Sequence, residues 1–192
     1  MEKYPINIGG KICNKMRLFI SILLITISSI FAQQQADSVG FFVKVGDPGP
    51  NFELTFPNGD STSFAELKGK VIMLQFTASW CSVCRQEMPY IEKDIVKNLK
   101  CDELVVIGID MDEPAEKVIK FAEDMKITYP LALDPGAKIF GLFADKKSGV
   151  TRNVIIDRKG NIAHFTRLFN MEEFNKMVEK IKTLLIDDGG WG

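Results

Sequence analysis

Cys81-Ser82-Val83-Cys84 is the segment of this chain best equipped for chemistry. It follows a nearly continuous apolar run, Lys70 to Thr77, and opens a segment with helical spacing from about Ser82 to Leu99. A cysteine at a helix N-terminus meets unpaired backbone N–H groups and the positive end of the helix dipole. Both favour the thiolate, so Cys81 should ionise below the free-thiol value of about 8.5. The spacing sets Cys84 roughly one turn on, within bridging reach. Such a pair exchanges disulfides: Cys81 attacks a substrate disulfide, and Cys84 resolves the mixed disulfide. A purely structural staple is a weaker reading, because so short a loop closes little chain entropy. A zinc site needs two more thiol or imidazole ligands, and beyond the N-terminal Cys13 only Cys101 and His164 remain, at unrelated spacings. The expected chemistry calls for no metal and no cofactor.

The elements around the pair follow from periodicity. Phe52 to Phe56 alternates like a half-buried strand, Pro57-Asn58-Gly59-Asp60 is a hairpin turn, and Ser61 to Phe64 returns. Lys70 to Thr77 and Glu103 to Asp110 read as strands buried on both faces. Asp112-Glu113-Pro114 opens a helix carrying Val118, Ile119, Phe121, Ala122 and Met125 on one face. Tyr129 to Leu133 is a short strand and Pro135 to Phe143 a short helix. Asn153 to Asp157 and Ile162 to Phe165 form a hairpin, and Met171 to Ile186 is a last amphipathic helix. Strands alternating with helices and closing in a hairpin predict an α/β fold, a central mixed sheet flanked by helices. Cys101 is expected to pack as a small hydrophobe and His164 to face the surface.

The N-terminus differs from the rest. Lys11, Lys15 and Arg17 precede a charge-free run from Leu18 to Ala32, and Gln33-Gln34-Gln35 follows. That run is shorter than the roughly 20 residues a spanning helix needs, so a secretory signal cleaved after Ala32 is expected. The predicted organisation is signal 1–32, linker 33–45, domain 46–186 and a flexible tail 187–192, with no stable membrane span after cleavage. The 192 residues carry 24 basic and 25 acidic side chains, a formal charge of −1. Cleavage removes Lys3, Lys11, Lys15, Arg17 and one acid, Glu2, which moves the charge to −4. With no basic excess, nucleic acid is not an expected partner. A monomer is expected.

The stretch Leu74 to Pro89 resembles the active-site segment of thioredoxin-like proteins, and more narrowly the TlpA/ResA group of exported thiol–disulfide oxidoreductases. That group carries a glutamate three residues after the second cysteine and a proline two further on, matched by Glu87 and Pro89. Its central strand–helix insert is matched by Asp110 to Phe143, and the resemblance spans about Gly46 to Ile186. It implies the thioredoxin-like fold with an N-terminal β-hairpin, and a reductase-type exchange in the bacterial envelope, on the periplasmic or membrane-facing side. A membrane thiol carrier would donate electrons, and envelope proteins with disulfides would receive them. It also implies that Glu87 accepts the proton of Cys84. Pro89 reads as a helix kink, and Trp80 as a cover for the sulfur that meets the partner.

Two positions depart from the group. Val83 stands where a proline usually precedes the second cysteine, and its N–H is free to stabilise thiolate on Cys81. Thr151 stands where thioredoxin-like proteins place a cis-proline opposite the cysteines. A cis bond before a non-proline residue costs about 2.5–4 kcal/mol, so a trans Val150–Thr151 bond is expected. Arg152, beside it, is a candidate to contact a partner or steady the thiolate. Two other readings use the same thiolates. A peroxiredoxin-like peroxidase also lacks that proline, but its Pro-x-x-x-Thr-x-x-Cys pattern is absent, with Ala78 three residues before Cys81. A carrier of a soft ion such as Cu(I) would want a third ligand nearby.

Overall fold

The structure, a computed structural model, describes residues 40–186. The expected signal, residues 33–39 of the expected linker and the tail 187–192 lie outside the described residues. Seven strands form one mixed sheet: β1 (Glu53–Thr55), β2 (Ser61–Ser63), β3 (Val71–Thr77), β4 (Leu104–Met111), β5 (Leu131–Asp134), β6 (Arg152–Ile156) and β7 (Ile162–Arg167). Their spatial order is β2-β1-β5-β4-β3-β6-β7. The helices are α1 (Ser82–Tyr90), α2 (Ala115–Met125), α3 (Phe140–Phe143) and α4 (Met171–Ile186).

β3 lies inside the sheet, between β4 and β6, and all seven of its residues are buried. It pairs in parallel with β4, from Val71 opposite Leu104 to Thr77 opposite Asp110. It pairs antiparallel with β6, from Ile72 opposite Ile156 to Phe76 opposite Arg152. Parallel neighbours need a crossover, and α1 and α2 supply those between β3 and β4 and between β4 and β5. Alternation then splits the apolar residues into two layers. Val71, Met73 and Ile155 pack with Met88, Phe121 and Met177 under α1, α2 and α4. Ile72, Leu74, Phe76 and Val154 pack on the opposite face with Phe52, Phe140 and Phe143.

Gly108, at the middle of β4, leaves room for the side chain of Leu131. A Cβ there would lie 2.2 Å from Cδ2 of Leu131, its partner on β5. Pro89 leaves the carbonyl of Arg85 without its usual helical donor, and beyond Tyr90 the helix widens into a π-helical stretch, Ile91–Lys97. The helix expected over Pro135 to Phe143 is confined to its last four residues. Ala137 sits at φ 51°, and the carboxylate of Asp134 instead accepts the N–H groups of Ile139 and Phe140 at 2.8 and 2.9 Å.

The folded part begins before residue 46, which corrects the expected linker boundary. Phe41 and Val43 are buried in the core, and the N–H of Phe42 donates to the carbonyl of Phe143 at 2.8 Å. No described helix is long and apolar enough to cross a membrane.

Leu74 is wholly buried at the centre of the sheet. Leu74→Ala is expected to lower the unfolding free energy by about 2–5 kcal/mol in urea titration. An unchanged midpoint would show that this layer of the core does not hold the fold.

Candidate active site

β3 ends at Thr77, and the chain turns through Ala78–Trp80 before α1 begins at Ser82. Cys81 occupies the N-cap position with extended backbone, φ −82° and ψ 101°. Its N–H donates to the carbonyl of Ala78 at 3.0 Å, and its Sγ accepts the N–H of Cys84 at 3.2 Å. The backbone donor to Cys81 is therefore that of Cys84, where the sequence suggested Val83. Cys81 and Cys84 form a disulfide with Cα atoms 5.3 Å apart. The two sulfurs differ in access, since Cys81 keeps 7% exposure while Cys84 has none. Only Cys81 of the pair can be approached from solvent. Trp80, directly beside it, is 60% exposed.

Thr151 faces the pair from the loop before β6. Its Oγ1 lies 3.1 Å from Sγ of Cys81 and 3.4 Å from Sγ of Cys84. Among the described residues no peptide bond is cis, so the Val150–Thr151 bond is trans as expected.

Glu87 is almost completely buried on α1, one turn beyond Cys84. Nδ2 of Asn153 donates to its Oε1 at 2.7 Å and to Oγ1 of Thr166 at 2.9 Å. Burial pushes the Glu87 carboxyl up to about 7, and the amides of Asn153 and Gln75 pull the other way. Gln75 pairs with Asn153 across β3 and β6, and its Oε1 accepts the hydroxyl of Tyr129 at 2.7 Å. A carboxyl balanced near neutrality exchanges protons readily in both directions.

A second carboxylate braces the turn before Cys81. Glu113 accepts the N–H and the hydroxyl of Ser79 at 2.5 and 2.8 Å and pairs with Lys117. Burial alone would raise its carboxyl, but Lys117 and Ser79 together hold it below the usual range. Asp110, fully buried opposite Thr77, is pushed up to about 8 by burial and by the charge of Glu113. The sequence reading missed Gln75, Asn153, Asp110 and Glu113. A polar residue inside an otherwise apolar strand was the available signal for the first three, in Leu74-Gln75-Phe76, Asn153-Val154-Ile155 and Gly108-Ile109-Asp110.

Three expectations are corrected. Arg152 is fully buried, so it is not placed to contact a partner. Its guanidinium donates to the carbonyls of Ser148 and Gly149 and to Oγ of Ser148, and lies over Phe41 and Phe140 at 4.8 and 5.4 Å. It ties down the loop that carries Thr151. Arg152 belongs to the core layer of Phe41 and Phe140, whose rings cover its guanidinium. Cys101 is exposed and free, since it follows the end of the helix in a turn that the core does not cover. His164 is half-buried, and burial lowers its imidazole below the usual value.

Among the described residues no three His, Cys, Asp or Glu side chains group to hold a metal ion. The mixed sheet, its flanking helices and the dithiol at a helix N-terminus define a thioredoxin-like thiol–disulfide oxidoreductase. The chain belongs to the AhpC/TSA family, whose sequence model matches residues 45–165. It is 30% identical over 155 residues to the thiol–disulfide oxidoreductase ResA of Bacillus cereus, covering 78% of this chain and 86% of that one. It is 33% identical over 124 residues to the thioredoxin-like protein YneN of Bacillus subtilis, covering 62% and 69%. A solution structure from Bacteroides thetaiotaomicron, assigned to the protein disulfide isomerases, superposes with a TM-score of 0.75 at 50% identity, covering 80% of this chain and 97% of that one.

The raised carboxyl of Glu87 has a defined effect on stability. Folded Glu87 keeps its proton up to about pH 7, whereas an unfolded glutamate loses it near 4.5. The unfolded state binds fewer protons in that window, so this group lowers stability as pH rises from about 4.5 to 7. Glu87→Gln is expected to flatten that slope in urea titrations at stepped pH. A variant with the wild-type slope would show that Glu87 does not carry this proton.

Proposed function

We propose that the protein reduces or exchanges disulfides of exported proteins in the bacterial envelope, with Cys81 as nucleophile, Cys84 as resolving thiol and Glu87 as proton acceptor. The observation that carries this reading is the asymmetry of the pair, with Cys81 on a helix N-terminus keeping a small exposure while Cys84 has none. The thiolate of Cys81 attacks a substrate disulfide; one Cys81–substrate bond forms as the substrate S–S bond breaks. The displaced sulfur leaves as a thiolate and takes a proton from water. Cys84 then gives its proton to the Glu87 carboxylate and attacks Sγ of Cys81. The second substrate sulfur leaves, and the substrate has gained the two electrons lost by the dithiol. A membrane thiol carrier would return the protein to its reduced form. Trp80, exposed beside Cys81, supplies an apolar surface for the incoming chain.

Export is supported by the charge-free run from Leu18 to Ala32, preceded by Lys11, Lys15 and Arg17.

The test is disulfide reduction measured by insulin turbidity. Cys81→Ser is expected to abolish turnover, and Cys84→Ser to accumulate mixed disulfides with its clients. Normal multiple turnover by Cys84→Ser would overturn the dithiol mechanism. Peroxide consumption without insulin reduction would make the protein a peroxidase instead. Copper retention that survives Glu87→Gln but is lost in Cys84→Ser would make it a carrier.

A further inference from the structure

Thr151 is buried, with 5% of the residue exposed, and its hydroxyl lies 3.1 and 3.4 Å from the two sulfurs of the pair. A threonine hydroxyl has one proton to donate and two lone pairs to accept with, so it can donate to a thiolate on one sulfur while accepting from a thiol on the other. The surroundings favour one assignment. Cys81 already receives the N–H of Cys84 at 3.2 Å and sits at the positive end of α1, so it is the sulfur better able to carry charge. Cys84 is wholly buried, with the carbonyl of Phe76 4.0 Å from its Sγ, a setting that suits a neutral thiol with a proton to donate.

We propose that in the reduced protein the Thr151 hydroxyl donates to the Cys81 thiolate and accepts the S–H of Cys84, so that it selects which sulfur is charged. This rests on the exchange reaction proposed above. Thr151 thereby becomes a catalytic residue of that reaction, in contact with both reacting atoms. Its own bonds do not change, and it gains or loses no proton over a cycle. The proton of Cys84 still leaves to Glu87 at the resolving step.

The backbone around Thr151 is built to hold this geometry. The N–H of Leu168 donates to its carbonyl at 3.1 Å. The Arg152 guanidinium grips Ser148 and Gly149 just upstream. Arg152 is in turn registered opposite Phe76 of β3, two residues before Ala78 at the start of the active-site turn. A proline here would offer the sulfurs only carbon, whereas Thr151 offers a hydroxyl.

The consequence is measurable. Stabilising the thiolate stabilises the reduced form, which makes the pair more oxidising. Thr151→Val keeps the branched shape and removes the hydroxyl; Thr151→Ser keeps the hydroxyl. The full-length chain is reduced and alkylated with iodoacetamide across a pH series, and modification of Cys81 is read by fragment mass, so that Cys13 and Cys101 do not interfere. Thr151→Val is expected to move the midpoint of that profile up by about one pH unit, a tenfold loss of thiolate below it. Its equilibrium with glutathione should shift about tenfold, which corresponds to a potential about 30 mV more reducing. Thr151→Ser is expected to match the wild type in both. If Thr151→Val does not fold, Thr151→Ala makes the same comparison. A hydroxyl-free variant with the wild-type profile, or Thr151→Ser moving as far as Thr151→Val, overturns the assignment. Insulin reduction by the wild type is scored separately. A chain with the alkylation shift but no insulin reduction keeps this inference and loses the functional reading, and the opposite result does the reverse.

Discussion

The fold depends on the double burial of β3. Val71 to Thr77 has no solvent face, so the sheet needs an apolar layer on each side before it is stable. One layer is built from α1, α2 and α4, the other from Phe41, Phe52, Leu54, Phe64, Phe140 and Phe143. The parallel pairing with β4 then requires a crossover, and α1 is that crossover. Its N-terminus therefore emerges where β3 ends, in the rim that carries Cys81. The helix dipole, the backbone N–H of Cys84 and the accessible sulfur all arrive together as a result of how a parallel pair must be connected.

Several of the polar groups inside this apolar frame lie near the dithiol. Gln75, Glu87, Tyr129 and Asn153 form a buried network under α1. Asp110 and Glu113 lie at the end of β4 and below the turn before Cys81. Oε2 of Glu87 and both carboxylate oxygens of Asp110 have no hydrogen-bond partner among the described residues. Burying such groups opposes folding, and a stable domain tolerates it where the groups serve the reaction. The same burial that opposes folding brings Glu87 to about 7, where a carboxyl can both take and return a proton.

Much of this was legible in the chain. The two-residue spacing of the cysteines, the apolar run before them and the amphipathic segment after them determine a redox pair at a strand–helix junction. Periodicity alone also places the seven strands near their observed positions, and Met171 to Ile186 has the observed bounds of α4. Local pattern reached less far for Pro135 to Phe143, where the carboxylate of Asp134 captures the amides of Ile139 and Phe140 and the helix starts only at Phe140. It also misjudged Arg152 and Cys101. Whether a side chain is covered depends on the layers packed against it, a long-range quantity that neighbouring residues do not state.

The sequence by itself determined that Cys81 and Cys84 are a dithiol on a helix, because that needs only neighbours a few residues apart. Only the tertiary structure decided which sulfur is reachable, how far Glu87 is from its ordinary ionisation, and what stands against the pair. Those depend on Asn153 and Thr151, 66 and 67 residues from Glu87 and Cys84, brought to them by the antiparallel register of β6 on β3. Desolvation and hydrogen bonding are properties of the assembled layers, so residue order states them only once the layers are packed.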